Sequence, residues 1–193
     1  MTPGSGLIDA VRTAGEGDEF SERILDAAVE EFQRHGLRRT SLDDVARRAG
    51  VARITVYRRF STKTGLLHAT VLREAQRFLD ELDRAIDAAA DVDDKVAEAF
   101  VVTIRAGERH PLLQGMLAVE PQALLPAITT EGGLLLAAAR EYLVDRLAIA
   151  PEAAEILTRV MQSFALTRPS VVDLSDDDAL RTFARNHLTP LIR

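Results

Sequence analysis

Arg53, Ile54, Thr55, Tyr57 and Arg58 lie within one six-residue stretch, with Arg59 and Lys63 close behind. Guanidinium groups, hydroxyls and one branched apolar side chain make a poor catalytic set but suit the reading of duplex DNA. Base edges in the major groove offer acceptors to arginine and thymine methyls to apolar side chains, so Arg53, Ile54, Thr55 and Arg58 are candidate base readers. Tyr57 can donate its hydroxyl to a phosphate oxygen. Lys63 sits near a helix start, where an ammonium and free amides together favour an anion, so these two position the chain rather than specify a sequence. Thr40 and Ser41, at the start of the preceding helix, complete the candidate DNA contacts.

Other chemistries find little support. There is no cysteine, hence no thiolate nucleophile, disulfide or cysteine zinc site. His35, His68, His110 and His187 show no i,i+4 metal spacing, and the acidic pairs lie on predicted solvent faces without a glycine-rich phosphate loop. The expectation is no enzyme, no metal and no cofactor.

The elements that must position the candidate readers follow from apolar spacing. Phe20, Ile24, Ala27, Ala28 and Phe32 form one stripe, a first helix stopped at His35-Gly36. A second helix begins near Ser41, which with Asp44 makes a pair like a capping box, and Gly50 ends it. A third starts near Ala52 and turns Ala52, Val56 and Phe60 toward the core, leaving the candidate readers on the other side. Two helices joined by a tight turn, the second basic and exposed, constitute a helix-turn-helix.

Charge supports this reading. The 193 residues carry a net charge of −6, yet Arg34 to Lys63 contains nine Arg/Lys against Asp43 and Asp44, a local +7, while the remainder is −13. A basic patch on an acidic body attracts phosphate locally and discourages adhesion elsewhere. With 47% hydrophobic and 28% charged residues the chain can build a sizeable core, and no run approaches the ~18 apolar residues of a membrane span. A cytoplasmic protein without membrane attachment is expected.

Val45, Ala46, Ala49, Gly50 and Val51, then Thr55, Val56, Tyr57 and Phe60, then Lys63, Leu66 and Leu67 stand in an order that resembles the TetR family of transcriptional repressors. The resemblance spans roughly residues 20–70. It implies an all-α homodimer in which three N-terminal helices bind a double-stranded, palindromic operator and a C-terminal region binds a small inducer and forms the dimer. Two positions depart from the family pattern: Ile54 replaces a residue that is commonly small, and Arg59 replaces a frequent aromatic, adding a phosphate contact instead. The alternative is a helical ligand-binding or protein-interaction module without specific DNA binding.

The expected organisation is a disordered tail over 1–17, a DNA-binding domain over 18–65 and an effector-binding and dimerisation domain over 66–193, with about nine helices in all. Leu66 to about Ala90 forms a long amphipathic helix, a natural lever for regulation. Helices over Asp93–Arg109, Leu112–Leu117, Leu134–Leu147, Pro151–Thr167 and Asp176–Leu188 follow. Phe78, Phe100, Ile104, Leu113, Met116 and Leu117, with Tyr142, Met161 and Phe164, are candidates to line an apolar effector pocket, and Arg105 to orient a ligand; each also suits ordinary core or surface. The apolar character favours a lipophilic effector. Ile156, Val160, Leu180, Phe183, Ala184 and His187 are candidates for a four-helix dimer interface, or for completing an intramolecular core.

Overall fold

The computed structural model describes residues 3–13, 18–167 and 170–192. Eleven α-helices run through them, with no strand among the described residues: α1 (Pro3–Thr13), α2 (Glu19–Arg39), α3 (Leu42–Ala49), α4 (Arg53–Phe60), α5 (Lys63–Ala88), α6 (Val92–Arg109), α7 (Pro111–Val119), α8 (Pro121–Ile128), α9 (Gly133–Leu147), α10 (Pro151–Leu166) and α11 (Asp177–Phe183). The last continues as a wider turn over Ala184–Leu188 and a tight one over Thr189–Ile192.

Two helices exceed the expected nine. Residues 3–13, expected to be a tail, form α1, with Val11 buried; the glycines at 4 and 6 obscured its helical spacing. The second is α8, in a stretch that its prolines marked as loop. Pro121 occupies the first turn of α8, where a missing N–H is no loss, and Pro111 and Pro151 open α7 and α10 in the same way. Residues 14–17 of the expected tail lie outside the described residues.

The chain forms two compact units rather than splitting once near residue 65. One contains Asp9–Arg77 and His110–Glu131, the other Met1–Ile8, Phe78–Arg109 and Gly132–Arg193. We call them the first and second units. Helices α7 and α8, expected to belong with the C-terminal helices, are therefore part of the first unit, where α7 packs on α2 and α8 on α7. The reason is local: Gly115 presents a bare backbone to α2, and a methyl group there would lie 2.4 Å from the Gln33 Cα. Only glycine permits so close a crossing.

The core of the first unit joins Ile24, Ala28 and Phe32 of α2 to Val45 of α3, Val56 of α4, Leu66 of α5, and Leu112 and Met116 of α7. Each large side chain removed from water contributes ~1.5–3 kcal/mol, and this shared interior holds the short helices α3 and α4, too brief to persist alone. Phe20, expected in the stripe of the first helix, is exposed beside Arg23, and Ala52, expected as core, is the exposed N-cap of α4. Both sit in the opening turn or the cap of a helix, beyond the reach of the partner face.

In the second unit Ile86, Val96, Phe100, Ile104, Leu157 and Leu180 are fully or almost fully buried. Phe100, Phe164 and Phe183 pack as a triangle with ring centroids 5.2–5.7 Å apart, and Phe100 meets Phe164 edge-on at 85°, an arrangement aromatic quadrupoles favour. No single helix among the described residues is long and apolar enough to cross a membrane.

Candidate nucleic-acid interface

The turn between α3 and α4 is fixed at both ends. Ser41 caps α3: its hydroxyl accepts from the Asp44 N–H at 3.2 Å, while the Asp44 carboxylate accepts from the Ser41 N–H at 3.1 Å. The Ser41 hydroxyl bond and then Arg47 hold the Asp44 carboxyl below its ordinary pKa. At the other end Gly50 takes φ +64°, a left-handed conformation that costs glycine nothing, and the Val51 N–H returns to the Ala46 carbonyl at 3.1 Å. Arg23 of α2 donates to the Ala49 carbonyl at 2.8 Å, securing the end of α3. Arg23 was missed from sequence, because nothing in its spacing distinguishes it from a solvated arginine.

From this turn α4 emerges with Val56 fully buried and its other side bare. Ile54 is 73% exposed; Arg53, Tyr57 and Arg58 are also exposed, and Thr55 is half-buried. Arg58 makes no ion pair among the described residues, so its guanidinium is uncommitted. Lys63 donates to the Arg38 carbonyl at 3.2 Å and likewise carries no ion pair among the described residues.

Three of the expected contacts sit differently from the sequence reading. Thr40 is 2% exposed, and its hydroxyl donates to the Gly36 carbonyl at 2.8 Å as α2 ends, so its side chain serves the fold rather than a DNA surface. Arg59, expected to reach a phosphate, is exposed but bonded to the start of α2. It donates to the Asp18 carboxylate and the Ser21 hydroxyl, both at 2.6 Å, and so ties α4 to the start of α2. The Arg59 hydrogen bond, helped by the Ser21 N–H, lowers the Asp18 pKa to about 2. Arg53 is exposed but paired with Asp43 at 2.6 Å. Sequence cannot show such pairing, since Asp18 and Arg59 meet only through the packing of α4 on α2.

Much of the surrounding positive charge is also partnered. Arg47 pairs with Asp44, and Arg48 pairs with Glu30 and Glu31. An open polar groove of about 560 Å³ lies here, lined by Glu31, His35, Arg39, Asp44, Arg47 and Arg48. Behind the helix-turn-helix, nearly buried Arg73 of α5 bonds Glu22 and Asp26 of α2 and its neighbour Glu74. Burial raises Glu74, but the hydrogen bond from His110 and the charge of Arg73 outweigh it and leave its pKa below the ordinary value.

The residues expected to contact an effector are divided between the units. Phe78, Phe100, Ile104, Tyr142, Met161 and Phe164 belong to the second, whereas Met116 packs in the core of the first, and Leu113 and Leu117 of α7 are half-buried residues of that same unit. Periodicity could not reveal that α7 packs on α2. Arg105 is committed structurally: it donates to Asp177, to Glu108 and to the Leu174 carbonyl, pinning α6 to the start of α11. Tyr142 donates its hydroxyl to Asp83 at 2.7 Å, and burial followed by this acceptor raises its pKa. Of the expected dimer contacts, Leu180 and Ala184 are fully buried within the chain and cannot face a partner. Ile156 and His187 are exposed, and Val160 and Phe183 half-buried.

The family model described as bacterial regulatory proteins, tetR family, matches residues 24–70. The HTH-type transcriptional regulator SrpR of Pseudomonas putida is 46% identical over 102 residues, which make up 53% of this chain and 46% of that protein. The uncharacterized HTH-type transcriptional regulator TtgW, also of Pseudomonas putida, is likewise 46% identical over 102 residues, 53% of this chain and 72% of that one. The chain thus spans less than half of SrpR but most of TtgW. Among solved structures, the SmeT–triclosan complex shares 26% identity at a TM-score of 0.51, covering 86% of this chain and 90% of its own. An exposed α4 on a capped turn, the matched segment that contains it and the extent of the TtgW alignment lead to one conclusion: the chain belongs to the TetR family of bacterial transcriptional regulators.

Proposed function

We propose that this chain is a ligand-responsive repressor, not an enzyme, that acts in the cytoplasm as a homodimer and is released from a roughly palindromic operator by a small, largely apolar effector. The observation that carries the reading is α4 itself. Its buried Val56 anchors it, while Ile54, Tyr57 and Arg58 stand free on the opposite side. Arg58, whose guanidinium has no ion pair among the described residues, is the base reader, Ile54 meets a thymine methyl, and Tyr57 with Lys63 holds phosphates. The solved complex of a relative with triclosan supports a small apolar effector, and the apolar second unit provides the surroundings for one. For the dimer, Ile156, Val160, Phe183 and His187 are the contacts that remain available.

One observation favours the alternative, a helical binding module without specific DNA binding. Arg47, Arg48, Arg53 and Arg59 all pair with carboxylates of this chain, which reduces the charge free for phosphate. Titration onto the DNA upstream of its own gene, at two salt concentrations, separates the two. A reader should lose ~1–3 kcal/mol and its sequence preference in Arg58→Ala, whereas Tyr57→Phe, which removes an uncharged phosphate contact, weakens all sequences alike and leaves the salt slope unchanged. Equal, weak binding of every DNA tested would leave the module reading in place.

A further inference from the structure

Shortly before it ends, α2 is broken. Gly36 takes φ +74° and ψ 171°, and three residues beyond Arg39 the first helix of the helix-turn-helix begins at Leu42. The direction in which α3 and α4 leave α2 is therefore set by the backbone of residues 36–40. One side chain from a distant part of the sequence holds that backbone. Glu120, between α7 and α8, is 4% exposed; one of its oxygens accepts the Arg38 backbone N–H at 3.1 Å, and the other pairs with the Arg38 guanidinium at 3.0 Å. It also presses on the break itself, since a Cβ on Gly36 would lie 3.0 Å from its carboxylate and 3.0 Å from the Val119 side chain.

The same short segment is held from other directions. Lys63, the first residue of α5, donates to the Arg38 carbonyl at 3.2 Å, and Thr40 donates to the Gly36 carbonyl. Glu120 joins it to α7, whose own position on α2 is fixed by the Gly115–Gln33 crossing. Helix α7 follows α6 after the single residue His110.

We infer that Glu120 is a positioning residue for DNA binding: its carboxylate latches the α2–α3 junction to α7, so that the position of α7 sets how α3 and α4 are presented. The latch rests on the regulator reading above and deepens it by naming the point where regulation enters the DNA-binding helices. A carboxylate is suited to the task because a part-buried main-chain N–H at a helix break needs an acceptor in place of the helical carbonyl. The guanidinium half of the contact is exposed and counts for little.

The test compares Glu120→Ala with Glu120→Gln in the full chain, since glutamine keeps an oxygen for the Arg38 N–H and discards the charge. Amide exchange at Arg38 is the direct readout, and binding to the DNA upstream of its own gene is the functional one. The expected result for Glu120→Ala is exchange at Arg38 faster by about tenfold or more and DNA binding weaker by about tenfold or more. Glu120→Gln should restore both to within about threefold. Leu112→Ala, which loosens α7 generally, should raise exchange along α2 and α7 without singling out Arg38. Unchanged exchange or unchanged DNA binding in Glu120→Ala overturns the latch, and so does equal loss in Glu120→Gln. If Glu120→Ala does not fold, Glu120→Asp draws the carboxylate back by one methylene and is read in the same way. If the wild-type chain shows no specific DNA binding, the regulator reading fails, and exchange at Arg38 alone decides the latch.

Discussion

Replacing Gly115 by alanine probes the packing that places α7, and through it Glu120. The added Cβ would lie 2.4 Å from the Gln33 Cα, 2.6 Å from its Cγ and 2.8 Å from its carbonyl oxygen. Carbon atoms in contact prefer about 3.5–4.0 Å, so α2 and α7 must part by roughly 1 Å or more. Two of the three atoms met are backbone, so no rotamer change relieves them. Forced overpacking costs about 1–3 kcal/mol, and the better helix propensity of alanine returns about 0.5–1. The expected net loss is roughly 1–2 kcal/mol, which at about 2–4 °C per kcal/mol for a chain of this length lowers the melting temperature by about 2–8 °C. Gly133→Ala is the control, because nothing lies within 4 Å of a Cβ there. It should melt at or slightly above wild type. Calorimetry on the three proteins decides the matter, with DNA binding measured alongside. A Gly115→Ala protein that melts with or above wild type would refute the close crossing, and with it the account of why α7 belongs to the first unit.

Two further outcomes are expected. Asp18→Asn keeps the N-cap of α2 but discards the charge that holds Arg59. Because the folded Asp18 pKa is about 2 against an ordinary 3.8, the advantage of wild type over this variant is fully present above 3.8 and fades as pH falls toward 2; a melting difference that stays constant across that window would contradict the assignment. Ile156→Glu should convert a dimer to a monomer by light scattering with little loss of melting temperature, since Ile156 is 45% exposed, whereas fully buried Leu180→Ala should cost about 2–5 kcal/mol without a change of assembly specific to it. The reverse pattern would place the interface elsewhere.

What the sequence determined by itself is what local rules govern. The Ser41–Asp44 cap, the left-handed turn at Gly50 and the alternation of buried Val56 with exposed Ile54 and Arg58 all follow from residues within one or two turns of each other. Family, helical class and the exposed second helix of the helix-turn-helix were therefore legible in roughly residues 20–70. Tertiary structure decided the pairings between segments far apart in the chain, because charge and apolar spacing name a face but not its partner. Arg59 looks like a phosphate contact until Asp18 is found beside it, Leu180 looks like an interface until α6 covers it, and α7 looks like part of the effector body until Gly115 lets it lie against α2. Glu120 is the extreme case: an ordinary acid before a proline in sequence, it finds the Arg38 amide 82 positions away only once α7 has been packed.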